Sequence, residues 1–230
     1  MNTAQTIHKQ LNDLPYFRNY QAVSGSVHNV ASHEDAVEDV LAKNGLVKGH
    51  FKAVATAQGY TSVIKYRDSM LKDASLEESV PNNTYYSQPT GTHNSPDFIF
   101  KVDNKVFFVE CKSGKANQPM YNSGLPKVGY IYLFCSEKSN ESTMYLGDDI
   151  VNAKQREAID KFTEQSQKLI AKLNEELALL DDQNRGLSYY QRDMWQQSGG
   201  AKYTDYFKHE NKTLCEWKVE QLFNDTETSK

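Results

Sequence analysis

Two short apolar strands joined by Asp103-Asn104 constrain the fold of this chain more than any other stretch. The segment SPDFIFKVDNKVFFVECKSG, residues 95–114, is rich in Phe, Val and Ile on both sides of that dipeptide. Asp and Asn both tolerate the left-handed backbone that a two-residue hairpin turn requires. Counting outward from such a turn places Phe100 opposite Phe107 and Asp97 opposite Glu110. The sequence therefore predicts a β-hairpin with two carboxylates at its open end.

Alternation along the strands decides which side chains share a face with these carboxylates. Successive side chains point to opposite faces, so Asp97, Glu110 and Lys112 lie on one face and Cys111 points into the core on the other. Opposed carboxylates with Cβ atoms about 5 Å apart repel each other. Mg²⁺ relieves such repulsion and is commonly held by one or two carboxylates together with water and phosphate oxygens. We therefore expect Asp97 and Glu110 to bind Mg²⁺ and Lys112 to reach a phosphate or a water beside it, as phosphodiester hydrolysis requires.

This pattern resembles a known nuclease signature. Pro96-Asp97, followed by Glu110-Cys111-Lys112 at the end of an apolar strand, is similar to the motif of the PD-(D/E)xK nuclease superfamily. The resemblance covers residues 32–136 and is closest to type II restriction endonucleases. It implies Mg²⁺ as the cofactor, catalytic roles for Asp97, Glu110 and Lys112, and a metal ligand in the backbone carbonyl of Cys111.

The superfamily often adds an acidic residue from a helix that precedes the sheet. The run EDAVEDVLAKNGL, residues 34–46, offers Glu34 and Glu38 one helical turn apart. It resembles the first helix of junction-resolving and restriction members, in which the first Glu is the active one, so we favour Glu34 as a catalytic residue. The alternative is that Glu34 only stabilises the positive end of the helix dipole.

Other local signals predict the elements around the hairpin. Ser32 is a candidate N-cap for a helix that Gly45 ends. Residues 60–66, YTSVIKY, have a strand-like pattern, and residues 82–96 form a polar, turn-rich segment that predicts a loop. The segment Gly129–Ser136 predicts a third strand.

Helical patterns dominate the C-terminal third. Apolar residues recur at three-and-four spacing over residues 152–182, as a long amphipathic helix requires, and residues 213–223 predict a last short helix. The expected fold is α/β, with a central mixed β-sheet flanked by helices in a restriction-endonuclease-like core and a helical C-terminal region. We expect one nuclease domain over residues 1–230, with the catalytic core at about 32–136.

Polar side chains that suit contacts to DNA follow the hairpin. Asn and Gln read adenine, and Lys reads guanine or a phosphate. The candidates between residues 113 and 127 are Ser113, Lys115, Asn117, Gln118, Asn122, Ser123 and Lys127, to which His93 in the preceding loop and the run GSVHN at residues 25–29 are added. The net charge of −4 favours an enzyme that uses base contacts over one that depends on phosphate attraction alone. Double-stranded DNA is the expected substrate.

The type II resemblance also implies a homodimer. The long helix at residues 152–180 could form its interface, and the alternative is that this helix packs on its own sheet. The tyrosine-rich tail, with Tyr189, Tyr190, Tyr203 and Tyr206, is a further candidate for contact with DNA or a second copy.

Composition argues for a cytoplasmic protein without a membrane segment. No stretch approaches the roughly 20 apolar residues of a membrane span, and the three cysteines lack a metal-binding spacing. The six histidines show no zinc-binding spacing either. Two alternatives to a restriction enzyme stay open: a structure-specific nuclease of the junction-resolvase type, and a non-catalytic DNA-binding or immunity module in which Glu110 and Lys112 are a surface pair.

Overall fold

A six-stranded mixed sheet forms the centre of the computed structural model, which describes residues 1–20, 31–122, 124–191, 193–197 and 205–225. The strands are β1 (Val47–Lys48), β2 (Thr84–Ser87), β3 (Phe98–Val102), β4 (Lys105–Gly114), β5 (Met120–Tyr121), β6 (Ile131–Ser136), β7 (Glu141–Leu146) and β8 (Trp195–Gln196). The central sheet has the order β1-β2-β3-β4-β6-β7, and β5 pairs with β8 separately. The pairs β1–β2 and β4–β6 are parallel, and the other pairs are antiparallel.

The predicted hairpin is confirmed with the predicted register. Asp103 and Asn104 have φ angles of 49° and 63°, the left-handed values that a two-residue turn needs. The ladder pairs Val102 with Lys105 and ends with Phe98 opposite Val109. The turn also holds another element in place, because the backbone N–H of Ala4 in the first helix donates to Asp103 Oδ2 at 2.8 Å.

Helices cover both faces of the sheet. They are α1 (Thr3–Asn12), α2 (His33–Lys43), α3 (Phe51–Ala57), α4 (Val63–Met70), α5 (Gly147–Ile150), α6 (Ala153–Leu179) and α7 (Lys212–Asn224), with 3-10 turns at Phe17–Asn19, Ala74–Ser79 and Tyr206–Lys208. Helix α2 begins at the predicted cap: Ser32 Oγ accepts the N–H of Asp35 at 3.2 Å, and Asp35 Oδ2 accepts the N–H of Ser32 at 2.9 Å. This reciprocal arrangement is a capping box.

The two faces of the hairpin belong to different hydrophobic clusters. Phe98, Phe100, Phe107, Val109 and Cys111 pack with α1, α2 and α7. Ile99 and Phe108 lie on the other face, among aromatic side chains of α3, α4 and β5. The predicted alternation is therefore confirmed. So is the fold class, an α/β arrangement of a mixed central sheet flanked by helices, with a helix at the C-terminal end of the described chain.

Two sequence predictions were wrong. Residues 60–66 were expected to be strand-like, but α4 begins at Val63 after the N-cap Ser62; Tyr66 and Met70, one helical turn apart, are both buried. The predicted loop at residues 82–96 contains β2, in which Tyr85 and Tyr86 are buried in different clusters on opposite faces of the sheet. In both cases burial against distant residues outweighs the local pattern.

The long predicted helix is confirmed as α6, but it does not pack on the sheet. None of its 27 residues is buried, and Phe162, Leu169 and Leu173 are 57%, 69% and 42% exposed. A following extended segment runs beside it, where the side-chain amide of Asn174 makes two hydrogen bonds to the backbone of Tyr189, at 3.0 and 2.6 Å. Within the described residues, no helix has both the length and the apolar composition that crossing a membrane would take.

Candidate active site

Asp97 lies immediately before β3, at the open end of the hairpin. Its Oδ2 accepts the backbone N–H of Cys111 at 2.8 Å, and its Oδ1 accepts the side-chain amide of Gln88 at 3.0 Å. The N–H of Gln88 also donates to the carbonyl of Asp97 at 2.7 Å. These bonds hold the Asp97 carboxylate one residue beyond Phe98–Val109, the last pair of the β3–β4 ladder. The hairpin register places it opposite Glu110 there.

Glu110 is a buried carboxylate, 3% exposed. Its Oε1 accepts from Lys112 Nζ at 2.7 Å, and the lysine side chain is itself only 11% exposed. The second oxygen, Oε2, is buried and has no hydrogen-bond partner among the described residues. An ionised carboxylate with one bare oxygen is costly in a protein interior, so this oxygen is placed to accept a further ligand.

The charges of these groups act on one another. Burial and then the Glu110 carboxylate raise the pKa of Asp97 to about 7, while the Cys111 N–H and Lys112 lower it. Asp97 is therefore protonated more readily near neutral pH than an exposed aspartate is. Because the Glu110 charge disfavours ionisation of Asp97, a divalent cation beside the two groups would favour the ionised form of Asp97.

Glu34 and Glu38 have different surroundings. Glu34, half-exposed in the first turn of α2, is close enough for its charge to raise the pKa of Asp97. Glu38 is buried and forms an ion pair with Lys48 at 2.7 Å and a hydrogen bond from Tyr85 Oη at 3.0 Å. The structure therefore brings Glu34 to the carboxylate site, whereas Glu38 joins α2 to the edge of the sheet.

The thiol of Cys111 gives an independent view of the same cluster. Burial raises its pKa, and Asp97, Glu34 and Glu110, in that order, raise it further. Cys111 lies in the core between the hairpin and α2, and the charges of all three acidic side chains act at this end of β4.

Mg²⁺ is the metal ion that the sequence predicts for this site. Within the described residues, no group of three or more His, Cys, Asp or Glu side chains is placed to hold a metal ion. Mg²⁺ needs fewer protein ligands, since it usually keeps several waters and one or two carboxylates. Asp97 and the free oxygen of Glu110 match that requirement. The roles of these carboxylates and of the Cys111 carbonyl toward Mg²⁺ stay predictions.

The polar residues after the hairpin differ in their availability. Those with exposed side chains are Ser113, Lys115 and Asn122, together with His93 in the preceding loop, while Gln118 and Lys127 are half-exposed. Ser123, the run at residues 25–29 and Tyr203 lie outside the described residues.

Asn117 does not belong to the exposed set. It is 4% exposed; its Oδ1 accepts from the hydroxyls of Ser136 and Ser139, and its Nδ2 donates to Asp205 at 2.8 Å. All of its amide bonds are made inside the protein. The prediction that Asn117 contacts DNA is therefore withdrawn, because residue type alone did not show that the side chain is buried.

Sequence reasoning missed the residues that hold the turn before Asp97. The carbonyl of Ser95 accepts three donors: Arg67 Nη1, Thr90 Oγ1 at 3.1 Å and Tyr130 Oη at 3.4 Å. Arg67 is itself buried, with 5% exposure. These donors come from three separate parts of the chain, so no local pattern links them. The loop that presents Asp97 is thus anchored from α4 and from the start of β6.

Comparisons with known proteins add no family to this geometry. No protein-family model, no curated protein and no solved structure matches the chain. The superfamily resemblance consequently depends on the residues themselves, above all on Asp97, Glu110 and Lys112.

Proposed function

We propose that the chain is a Mg²⁺-dependent, site-specific endonuclease that hydrolyses phosphodiester bonds of double-stranded DNA, as type II restriction enzymes do. The observation that carries the proposal is the pairing of Asp97 with Glu110, whose second oxygen is buried without a partner. Lys112 stands beside this pair, bonded to Glu110. Two carboxylates and a lysine at the end of a buried strand are the groups that metal-assisted phosphodiester hydrolysis uses.

Each residue has a definite task in this proposal. Asp97 and Glu110 hold Mg²⁺, which neutralises phosphate charge and makes a bound water more acidic. Lys112 orients the attacking water or stabilises the negative charge that builds up on the phosphate. Its ammonium is already fixed at 2.7 Å from Glu110, so little reorganisation is needed. Glu34 adds negative charge on the α2 side, where it would act through a water.

Specificity and assembly are further parts of the proposal. The exposed side chains of Ser113, Lys115 and Asn122 follow the catalytic strand and are free to contact base edges. The exposed apolar residues of α6 offer a surface for a second copy, and a homodimer would place one active site on each DNA strand. A cytoplasmic location agrees with this role.

The test is incubation of the purified protein with long phage DNA and Mg²⁺. Discrete fragments support the proposal; cleavage of four-way junctions alone would indicate a resolvase, and binding without any cleavage would indicate a non-catalytic module. Asp97→Asn, Glu110→Gln and Lys112→Met should each abolish cleavage while binding with Ca²⁺ persists. Glu38→Gln is the matched control, because it removes a buried carboxylate of α2 that lies outside the site. Full cleavage by any of the three site variants would refute the assignment.

A further inference from the structure

Two basic residues lie close to the Asp97–Glu110 pair and have no role in the proposed hydrolysis. Arg67 projects from α4, and Lys127 lies in the segment before β6. Both are basic, and the Arg67 guanidinium is near enough to Lys127 to lower the pKa of its ammonium, after the larger effect of burial. Burial and a nearby like charge both disfavour the charged ammonium, so a negative ligand beside Lys127 would favour it.

The position of Lys127 is set by several contacts. Its N–H donates to Tyr132 Oη at 2.9 Å, and Tyr132 is the residue that faces Glu110 across β4 and β6. Its ammonium lies 5.8 Å from the ring centre of Tyr130, whose hydroxyl donates to the Ser95 carbonyl beside the Pro96-Asp97 turn. Lys127 is therefore held on the Glu110 face of the sheet and not on a free loop.

Gly147 fixes the same segment from the other side. A Cβ atom at this position would lie 2.1 Å from the carbonyl oxygen of Lys127, a distance that no side chain tolerates. Glycine is needed here because the two backbones approach closely. The backbone of Lys127 is thus held close to both β6 and the start of α5.

The two cations differ in how their charges are balanced. Arg67 donates to the Ser95 carbonyl and to Asp68 Oδ1 at 2.6 and 2.9 Å. The ammonium of Lys127 makes no hydrogen bond or ion pair within the described part of the chain, although the residue is half-buried. Asp68, which pairs with Arg67, and then Glu110 raise the pKa of the Lys127 ammonium without contacting it directly, and their effects are smaller than those of burial and Arg67. A half-buried ammonium without a direct counter-ion is an open position for an anion.

We infer that Lys127 and Arg67 form a phosphate-binding position beside Glu110, which takes a phosphate of the DNA strand that is cut. The inference rests on the proposed function for its natural ligand, but the site itself requires only a phosphate group. Lys127 supplies the direct contact. Arg67 adds positive potential and holds the Ser95 carbonyl, so the same residue couples the phosphate position to the loop that carries Asp97.

Inorganic phosphate tests the site without DNA. In EDTA, and at constant ionic strength, phosphate at ten times its dissociation constant should raise the unfolding midpoint of the wild type by about 3 °C relative to chloride. Lys127→Met should lose this increase, and Lys127→Arg should keep it. Lys65→Met is the matched control, because Lys65 is an exposed lysine of α4, and it should respond as the wild type does. Equal protection of Lys127→Met and wild type would overturn the inference.

A second measurement separates this site from the nuclease proposal. At saturating protein with Mg²⁺, Lys127→Met should slow single-turnover cleavage of DNA by about 10- to 100-fold, since a lost phosphate contact in an active site has effects of that order. If phosphate protects the wild type through Lys127 but no DNA is cut, the phosphate site stands and the nuclease proposal falls. If Lys127→Met cuts DNA at the wild-type rate, the phosphate site is not part of the active site and the inference fails while the nuclease proposal stands.

Discussion

Replacing Asp97 by Asn is expected to stabilise the metal-free protein at pH 8, although it should abolish cleavage. The side chain fits, because Asn Oδ1 can accept the N–H of Cys111 as Asp97 Oδ2 does now. Its amide can donate to Gln88 Oε1, a buried oxygen that has no partner in the described structure, once the Gln88 amide turns over. The Gln88 amide nitrogen then takes the buried position that Oε1 occupies now without a partner, so the substitution removes a charge without increasing the number of unpaired groups.

The magnitude follows from the pKa of Asp97. Burial and Glu110 raise it to about 7 from the ordinary value of 3.8. Folded protein then binds a proton that the unfolded chain has lost, so the stability contributed by neutral Asp97 is full below about pH 4 and is lost as the pH rises through about 7. At 1.36 kcal/mol per pKa unit, ionised Asp97 costs the folded state about 4 kcal/mol. We expect the variant to recover about 2 to 4 kcal/mol of this cost.

Urea unfolding in EDTA at pH 5 and pH 8 measures the effect. At pH 8, Asp97→Asn should unfold at higher urea than the wild type with an unchanged slope, and at pH 5 most of the difference should vanish. Asp182→Asn, at an exposed position, removes the same charge and should change little at either pH. Lower or equal stability of Asp97→Asn at pH 8 would show that burial and the Glu110 charge together do not disfavour ionised Asp97 as described.

Three further changes test other parts of the structure. Glu34→Gln should lower the cleavage rate and shift its pH dependence to lower pH, because Glu34 raises the pKa of Asp97; rate–pH profiles would show it. Phe223→Ala should cost about 3 to 5 kcal/mol of unfolding free energy, since the ring is fully buried and stacks on Phe107 at 4.2 Å. Gly147→Ala should cost about 3 kcal/mol or more, because its Cβ would meet the backbone of Lys127, as chemical denaturation would measure.

Each of these changes has a counterpart that should behave differently. Glu38→Gln should leave the cleavage rate unchanged and lower stability by no more than about 1 kcal/mol, because Gln Oε1 still accepts from Lys48 and Tyr85 and only the charge opposite the half-exposed Lys48 is lost. Trp217→Ala removes a ring from the same helix as Phe223, but that ring is 52% exposed, so stability should change by less than about 0.5 kcal/mol. A slower cleavage rate for Glu38→Gln, or a loss of stability for Trp217→Ala as large as that for Phe223→Ala, would contradict the assigned packing.

Local signals were enough to predict the elements whose structure is decided locally. Ser32 and Gly45 mark the ends of α2 because a cap and a left-handed stop act within one helical turn. Asp103-Asn104 sets the hairpin register for the same reason, and the register alone brings Asp97 to Glu110. The core of the candidate site could therefore be predicted from the sequence.

Features that depend on distant parts of the chain could not be predicted. Tyr85 and Tyr86 form β2 only because β3 is available to pair with them. Asn117 is of a residue type that often contacts DNA. It is buried here because it bonds to Ser136 on β6 and to Asp205, just before the 3-10 turn Tyr206–Lys208. The approach of Arg67 to Lys127 joins positions 60 residues apart, and no spacing rule connects them.

The exposure of α6 means that folding constrains its sequence less than it constrains the sequence of the sheet. At 1.5 Å per residue the helix is about 40 Å long, and none of its 27 residues contributes a buried side chain to the core. Most substitutions on its surface should leave the free energy of unfolding of a single chain almost unchanged. Packing within the chain therefore constrains the sheet and its hairpin more strongly than it constrains the surface of α6.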